Sequence, residues 1–100
     1  MKKIPKSYAI LGHDICVQTN DTLLSENEAW GRANFHTGII ELQTPFKSLN
    51  VSEAHKMSTF WHEYYHMALY HLGHTELALT EHLVDQLGNA MHQFHQTKQF

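Results

Sequence analysis

The second half of the chain has the hydrophobic pattern of an amphipathic helix. Between Ser52 and Leu72, apolar residues recur at spacings of three and four and so share one helix face: Met57, Trp61, Tyr64, Tyr65, Ala68, Leu69 and Leu72. Asn50, with Glu53 three positions on, fits a capping box at the start of this helix, and Ser52 is the alternative cap, because a short polar side chain accepts hydrogen bonds from the free backbone amides there. Gly73 is suited to end the helix, since glycine readily adopts the left-handed conformation that follows many helix C-termini.

A further helix is predicted towards the end of the chain. It begins at about Thr75 or Thr80 and ends at about Thr97, and its predicted buried face consists of Leu83, Leu87, Ala90, Met91 and Phe94. Gly88 lies inside this helix, where glycine costs about 1 kcal/mol relative to alanine. A glycine at such a position indicates close packing against a neighbouring element.

The first half of the chain has the shorter, punctuated pattern of β-strands. Apolar and β-branched residues flank a turn over residues 8–18 and again over residues 29–43, so two β-hairpins are predicted. Pro45 has no backbone N–H to donate and is expected to end the last strand. The predicted fold is therefore a single α+β domain over residues 1–100, in which a short antiparallel β-meander precedes two long helices.

Composition narrows the class of protein. Histidine accounts for 10 of the 100 residues and cysteine for 1, so an internal disulfide is excluded and any metal site is built from imidazoles and carboxylates. The net charge of −3 argues against a surface that binds nucleic acid by neutralising phosphates. No segment is apolar over the roughly 20 residues that a membrane span requires. We therefore expect a cytoplasmic protein without a nucleic-acid or membrane partner.

The chemistry of the sequence is concentrated in His62-Glu63-Tyr64-Tyr65-His66, an H-E-x-x-H pattern in the middle of the first long helix. Histidines four residues apart lie one turn apart on the same helix face, so both imidazoles can bind one metal ion. Glu63 lies beside that face and can take a proton from metal-bound water without being a ligand. A histidine-rich chain reaches this pattern by chance more easily than most. The helical context favours a metal site, because such a polar group is costly to bury unpaired.

A catalytic zinc site needs a third protein ligand. The second long helix offers Glu81 and Asp85, which share a helix face, so that one can bind the metal while the other orients a ligand histidine. The alternative is that the pair belongs to an ordinary solvated acidic face. His82 is a rival third ligand. The metzincin class is excluded, because its pattern requires glycine and histidine where this chain has Leu69 and Leu72.

His62-Glu63-x-x-His66 followed by Glu81-x-x-x-Asp85 resembles the gluzincin arrangement of the thermolysin-like metallopeptidases. The wider run over residues 59–90 is similar to small phage- and prophage-type metallopeptidase-like proteins. The resemblance implies a minimal zincin-like architecture with His62, His66 and Glu81 as zinc ligands and Glu63 as the general base. It also implies that Asp85 hydrogen-bonds a ligand histidine, with His62 the first choice.

The activity implied by this resemblance is hydrolysis of peptide bonds in a peptide or protein substrate by zinc-activated water. Residues 39–43 are expected to form an exposed edge strand that holds an extended peptide by main-chain pairing. The sequence departs from the larger family at Thr80, where asparagine is usual, and no residue is identified for stabilising the oxyanion. The side chains considered for that role are Tyr8, Arg32, His36 and His82.

Two other functions stay open. The first is a zinc-binding module of the same fold without proteolytic activity, which acts as an interaction or regulatory protein. The second is a metal-free helical interaction domain in which the histidines are incidental.

Overall fold

The computed structural model describes residues 4–44 and 52–100, which form a sheet covered on one face by helices. Its strands are β1 (Ser7–Ile10), β2 (His13–Asn20), β3 (Gly31–Asn34) and β4 (Ile39–Gln43). Its helices are α1 (Leu23–Asn27), α2 (Glu53–His71), α3 (Thr75–Ala78) and α4 (Glu81–Thr97). The α+β class and the two long helices are confirmed. The predictions for Pro45 and Asn50 lie outside the described residues.

The sheet is mixed, so the prediction of an antiparallel meander is wrong. The strand order is β1-β2-β4-β3, and both predicted hairpins are present as antiparallel pairs. However, β2 and β4 run parallel, with Cys16 opposite Ile39 and Asn20 opposite Gln43. The cause lies in burial: β4 contributes Ile40 and Leu42 to the core, and these side chains are covered best when β4 lies inside the sheet. The chain therefore passes through α1 to the far edge before it forms β3.

This order also changes which strand is exposed. Since β4 is paired on both sides, the prediction that residues 39–43 form an exposed edge strand is wrong. Among the described residues, the edges of the sheet are β1 and β3. Of these two edges, β3 lies beside α2, with Gly31 against Thr59 and Glu63.

Helix α2 packs along one face of the sheet. Phe60 and Met67 are buried there in one cluster with Ile15, Ile40 and Leu42. The helix begins at the second of the two predicted caps: the Ser52 side chain accepts a hydrogen bond of 3.1 Å from the backbone N–H of His55. It ends just before Gly73, which has φ +89° and donates its N–H to the carbonyl of Tyr70.

Helix α4 packs against α2 through a narrower face than predicted. Val84 and Gly88 are its buried residues, whereas Ala90 is exposed and Phe94 is 58% exposed. The difference arises because Gly88 lets the backbones of α4 and α2 come very close, so that the face of α4 with Val84 and Gly88 is the one that packs against α2. Short α3 precedes α4 and is separated from it by Leu79 and Thr80.

Over residues 4–44 and 52–100, no helix combines the length and the apolarity needed to cross a membrane.

Candidate metal centre

Three side chains with metal-ligand chemistry meet where α2 faces the start of α4. Nε2 of His62 lies 3.0 Å from Oε2 of Glu81, and Nε2 of His66 lies 3.0 Å from Oε1 of the same carboxylate. The two Nε2 atoms are 3.2 Å apart. The structure therefore brings together the three residues that the sequence singled out as metal ligands, and their binding of a metal stays a prediction.

Each imidazole is oriented through its other nitrogen. Nδ1 of His66 is hydrogen-bonded to the carbonyl of Ala78, and because a carbonyl only accepts, Nδ1 carries the proton. This carbonyl lies at the end of α3, where helix carbonyls have no partner within the helix. Nδ1 of His62 lies 3.4 Å from Oδ1 of Asp85, which fits the predicted role of Asp85 beside His62. Both contacts leave Nε2 as the nitrogen with the free lone pair.

The resulting arrangement of atoms fits a zinc ion. With both Nδ1 atoms protonated, two lone pairs and a carboxylate face one another, and this is repulsive unless a proton or a cation lies among them. Ligand atoms at about 2.0–2.2 Å from a tetrahedral Zn²⁺ are about 3.3–3.6 Å apart, a few tenths of an ångström more than the 3.0–3.2 Å separations observed. Two histidines and a glutamate are a donor set of catalytic zinc sites, which keep a fourth position open.

Glu63 lies next to the predicted ligands in a buried position. Its side chain belongs to the face of α2 that meets β3, and the residue is only 6% exposed. Burial raises the pKa of Glu63 to about 8, and the negative charge of Glu81 adds to the effect. A cation among the ligands would oppose this shift, because it favours the charged form of a neighbouring carboxylate. A carboxyl in such surroundings can accept and return a proton near neutral pH.

Gly31 makes room for Glu63 at the edge of the sheet. A Cβ at this position would lie 2.6 Å from Cγ2 of Thr59 and 3.0 Å from Oε2 of Glu63. Only a residue without a side chain lets β3 pass this close to the helix. The glycine therefore places the unpaired edge of β3 directly beside the carboxylate.

The cluster of His62, His66 and Glu81 opens into a cleft of about 570 Å³ between β3, α2 and the start of α4. Trp30 precedes β3 and Phe35 follows it, and both line the cleft together with His55 and Leu79. Glu81 is well exposed on this side, with 71% of its side-chain surface accessible, whereas His66 is buried. A molecule bound in the cleft can therefore reach the exposed side of the His62–His66–Glu81 cluster.

The side chains considered for oxyanion stabilisation are not placed for it. Tyr8 packs against Phe60 and Tyr64 in the core. Arg32 contributes to the cleft wall, but its guanidinium is bonded to Glu41, with Nε 2.9 Å from Oε1. Neither His36 nor His82 lines the cleft, and His82 does not join the ligand cluster although it adjoins Glu81.

Sequence reasoning missed two residues of the cleft. His55 lies seven positions before His62, and this spacing brings both onto nearly the same face of α2. The periodicity was thus a usable signal for His55. Trp30 stands before β3, and only the tertiary packing of β3 against α2 brings it to His55, so no local pattern indicates it.

Comparison of the chain with protein-family models, with curated proteins and with solved structures gives no match. The function must therefore be inferred from the geometry of the site.

Proposed function

We propose that this protein is a minimal zinc-dependent metallopeptidase of the gluzincin type, with His62, His66 and Glu81 as zinc ligands. The observation that carries the proposal is the convergence of three acceptor groups within 3.0–3.2 Å. The Nδ1 contacts to Ala78 and Asp85 support it, because they direct the Nε2 lone pairs of both histidines to one point.

Glu63 is the general base in this proposal. A zinc ion bound by the three ligands would supply Lewis acidity, which acidifies a coordinated water and polarises the substrate carbonyl. Glu63 accepts the proton of the attacking water and returns it to the leaving amine. Its burial supports this role, because the carboxyl is held out of bulk water beside the cleft.

The substrate of the proposed reaction is an extended peptide or a protein segment held on β3. The Trp30 carbonyl accepts a hydrogen bond from the Gln43 N–H and the Asn34 carbonyl accepts one from the Gly38 N–H, so the backbone groups of residues 30 and 34 face β4. By the antiparallel alternation, the backbone groups of Gly31 and Ala33 point away from the sheet. They are free to pair with a peptide strand that passes over the ligands.

One observation favours a second candidate, a zinc-binding interaction or regulatory module of the same fold without proteolytic activity. The hydroxyls that line the cleft already form hydrogen bonds within the protein: Thr59 donates to the carbonyl of His55, and Ser58 donates to the side-chain oxygen of Asn89. Arg32 is held by Glu41. None of these three groups is free to stabilise an oxyanion in this conformation.

Metal analysis and one substitution test the proposal. Protein purified without chelator should contain about one zinc per chain by mass spectrometry, and removal of the zinc should abolish hydrolysis of a broad peptide library. Glu63→Gln should keep the zinc and lose the hydrolysis. Glu53→Gln is the matched control, because Glu53 is exposed at the start of the same helix.

The outcomes separate the two candidates. Zinc without hydrolysis by the wild-type protein would favour the non-enzymatic module. A metal-free protein whose melting temperature does not change on addition of zinc would contradict both.

We also propose a cytoplasmic location, since a chain with 1 cysteine has no internal disulfide to gain in an oxidising compartment.

A further inference from the structure

Two aromatic rings form part of the wall of the cleft. The rings of Trp30 and His55 meet edge to face with centroids 4.7 Å apart. His55 is exposed and Trp30 is half-buried, and both line the cleft. We call this pair the Trp30–His55 wall. Large planar rings at a cleft surface offer apolar contact area and a stacking geometry to a side chain that enters.

The distance of this wall from the ligands follows from the helix. His55 and His62 are seven residues apart on α2, which corresponds to about 10.5 Å along the helix axis. An extended peptide advances by about 3.3 Å per residue. The wall is therefore about three residues of extended peptide away from the level of His62 on the helix.

The direction of β3 determines which part of the peptide reaches the wall. β3 runs from Gly31, beside Glu63, to Asn34, and Trp30 immediately precedes it. Antiparallel pairing is the more stable mode per residue. A peptide paired in this way runs from Asn34 towards Gly31, so its C-terminal part passes Trp30.

We infer that the Trp30–His55 wall selects peptides with a large apolar or aromatic residue at the second or third position after the scissile bond. This inference rests on the proposed function for the position of that bond. The charge of the cleft excludes an acidic residue as the preferred one, because three of the side chains that line it are carboxylates: Glu63, Glu81 and Asp85.

Binding of register-defined peptides tests the inference without requiring turnover. The probes are peptides in which a phosphinate replaces the scissile bond, so that its oxygens anchor the peptide at the zinc. Each of the three positions on either side carries in turn Phe, Leu, Ala, Lys or Glu. The dissociation constant of every probe is measured with the zinc-loaded protein, and the zinc content is measured separately.

We expect Phe or Leu at the second or third position after the phosphinate to bind about tenfold more tightly than Ala. Trp30→Ala should remove this preference and leave the dissociation constant of the Ala probe within about twofold, whereas Trp30→Phe should retain most of it. Phe94→Ala is the control, because Phe94 is exposed on α4 and does not line the cleft. Where the wild-type protein hydrolyses the corresponding peptides, the same preference should be seen in KM and not in kcat.

Several results would overturn the inference. A preference on the N-terminal side of the phosphinate, a preference for Lys or Glu, or a Phe preference that survives Trp30→Ala would each do so. His55→Ala covers the case in which Trp30→Ala fails to fold, since His55 is exposed and its loss should weaken the Phe preference by about threefold. Other results would show that the proposed function is wrong. These are a protein that contains no zinc, or a protein that keeps the binding preference but hydrolyses no peptide.

Discussion

The backbone of α4 at Gly88 lies directly against the backbone of α2 at His62. A Cβ on Gly88 would be 2.9 Å from the backbone nitrogen of His62 and 3.0 Å from its Cα. Asp85 and Glu81 precede Gly88 by three and seven residues, so the same helix face carries their carboxylates to the imidazole of His62. The close approach of the two helices therefore sets the distance from the imidazole of His62 to the carboxylates of Asp85 and Glu81.

Gly88→Ala should destabilise the protein and weaken its affinity for zinc. The added methyl group meets backbone atoms, which cannot rotate away, so α4 must shift outwards. We expect a loss of about 1–3 kcal/mol in the free energy of unfolding, in spite of the gain of up to about 1 kcal/mol in helix propensity. Urea denaturation and zinc titration measure the two effects. Gln86→Ala, at an exposed position of α4, is the control, and a Gly88→Ala variant as stable as the wild type would contradict the close packing.

Gly31→Ala should disturb the edge of the sheet and the position of Glu63. Its Cβ would lie 2.6 Å from Cγ2 of Thr59 and 3.0 Å from Cγ of Glu63, which is buried. We expect a loss of about 1–3 kcal/mol in unfolding free energy. Adding Thr59→Ala removes the nearest atom, so the double variant should recover part of this loss in a double-mutant cycle. Strict additivity of the two substitutions would argue against the contact.

The close packing at Gly88 was predictable because a glycine inside an otherwise regular helix lowers helix stability unless a neighbouring backbone needs the space of its missing side chain. The position of His62 relative to His66 was equally predictable from helix periodicity, and the cap at Ser52 from local chemistry. These features depend on residues within about two turns of one another.

The sheet was harder to predict because its order depends on non-local contacts. Each hairpin pattern is local, but the pairing of Cys16 with Ile39 depends on how the two hairpins share the core with α2. The predicted edge strand was wrong for this reason, and the cleft at β3 could not be located. Trp30 was missed likewise, since only the packing of β3 on α2 brings its ring to His55.

Substitution of neighbouring residues on α4 distinguishes the third ligand from its rival. Glu81→Ala should weaken zinc affinity strongly, because it removes the carboxylate 3.0 Å from both Nε2 atoms. His82→Ala should leave the affinity almost unchanged, since His82 is exposed and outside the cluster. Asp85→Asn should lower the zinc affinity by about 10–100-fold, because the Asp85 carboxylate orients the imidazole of His62. Competition with a chromogenic chelator measures the zinc affinity of all three variants. If His82→Ala weakened zinc binding more than Glu81→Ala, the third ligand would be His82 and not Glu81.

Glu41 should make the stability of the sheet depend on pH. It lies on β4 and accepts hydrogen bonds from Asn20 on β2, at 2.8 Å, and from Arg32 on β3, so one carboxylate joins three strands. The hydrogen bond from Asn20, followed by that from Arg32, lowers the pKa of Glu41 below its ordinary value. Because the folded-state pKa is the lower one, this stabilisation is complete above the unfolded pKa of about 4.3. It is lost as the pH falls through the folded-state pKa.

The comparison of wild type with Glu41→Gln therefore tests the pH dependence. Glutamine keeps the shape and one acceptor oxygen but carries no charge, so the variant should be less stable than the wild type at about pH 7. The difference in unfolding free energy should shrink as the pH falls below about 4 and vanish once the wild-type carboxyl is protonated. Urea denaturation of both proteins across this range gives the difference directly. Glu26→Gln, on the exposed surface of α1, is the control. A Glu41→Gln difference that stays constant with pH would show that the charge of Glu41 does not stabilise the sheet.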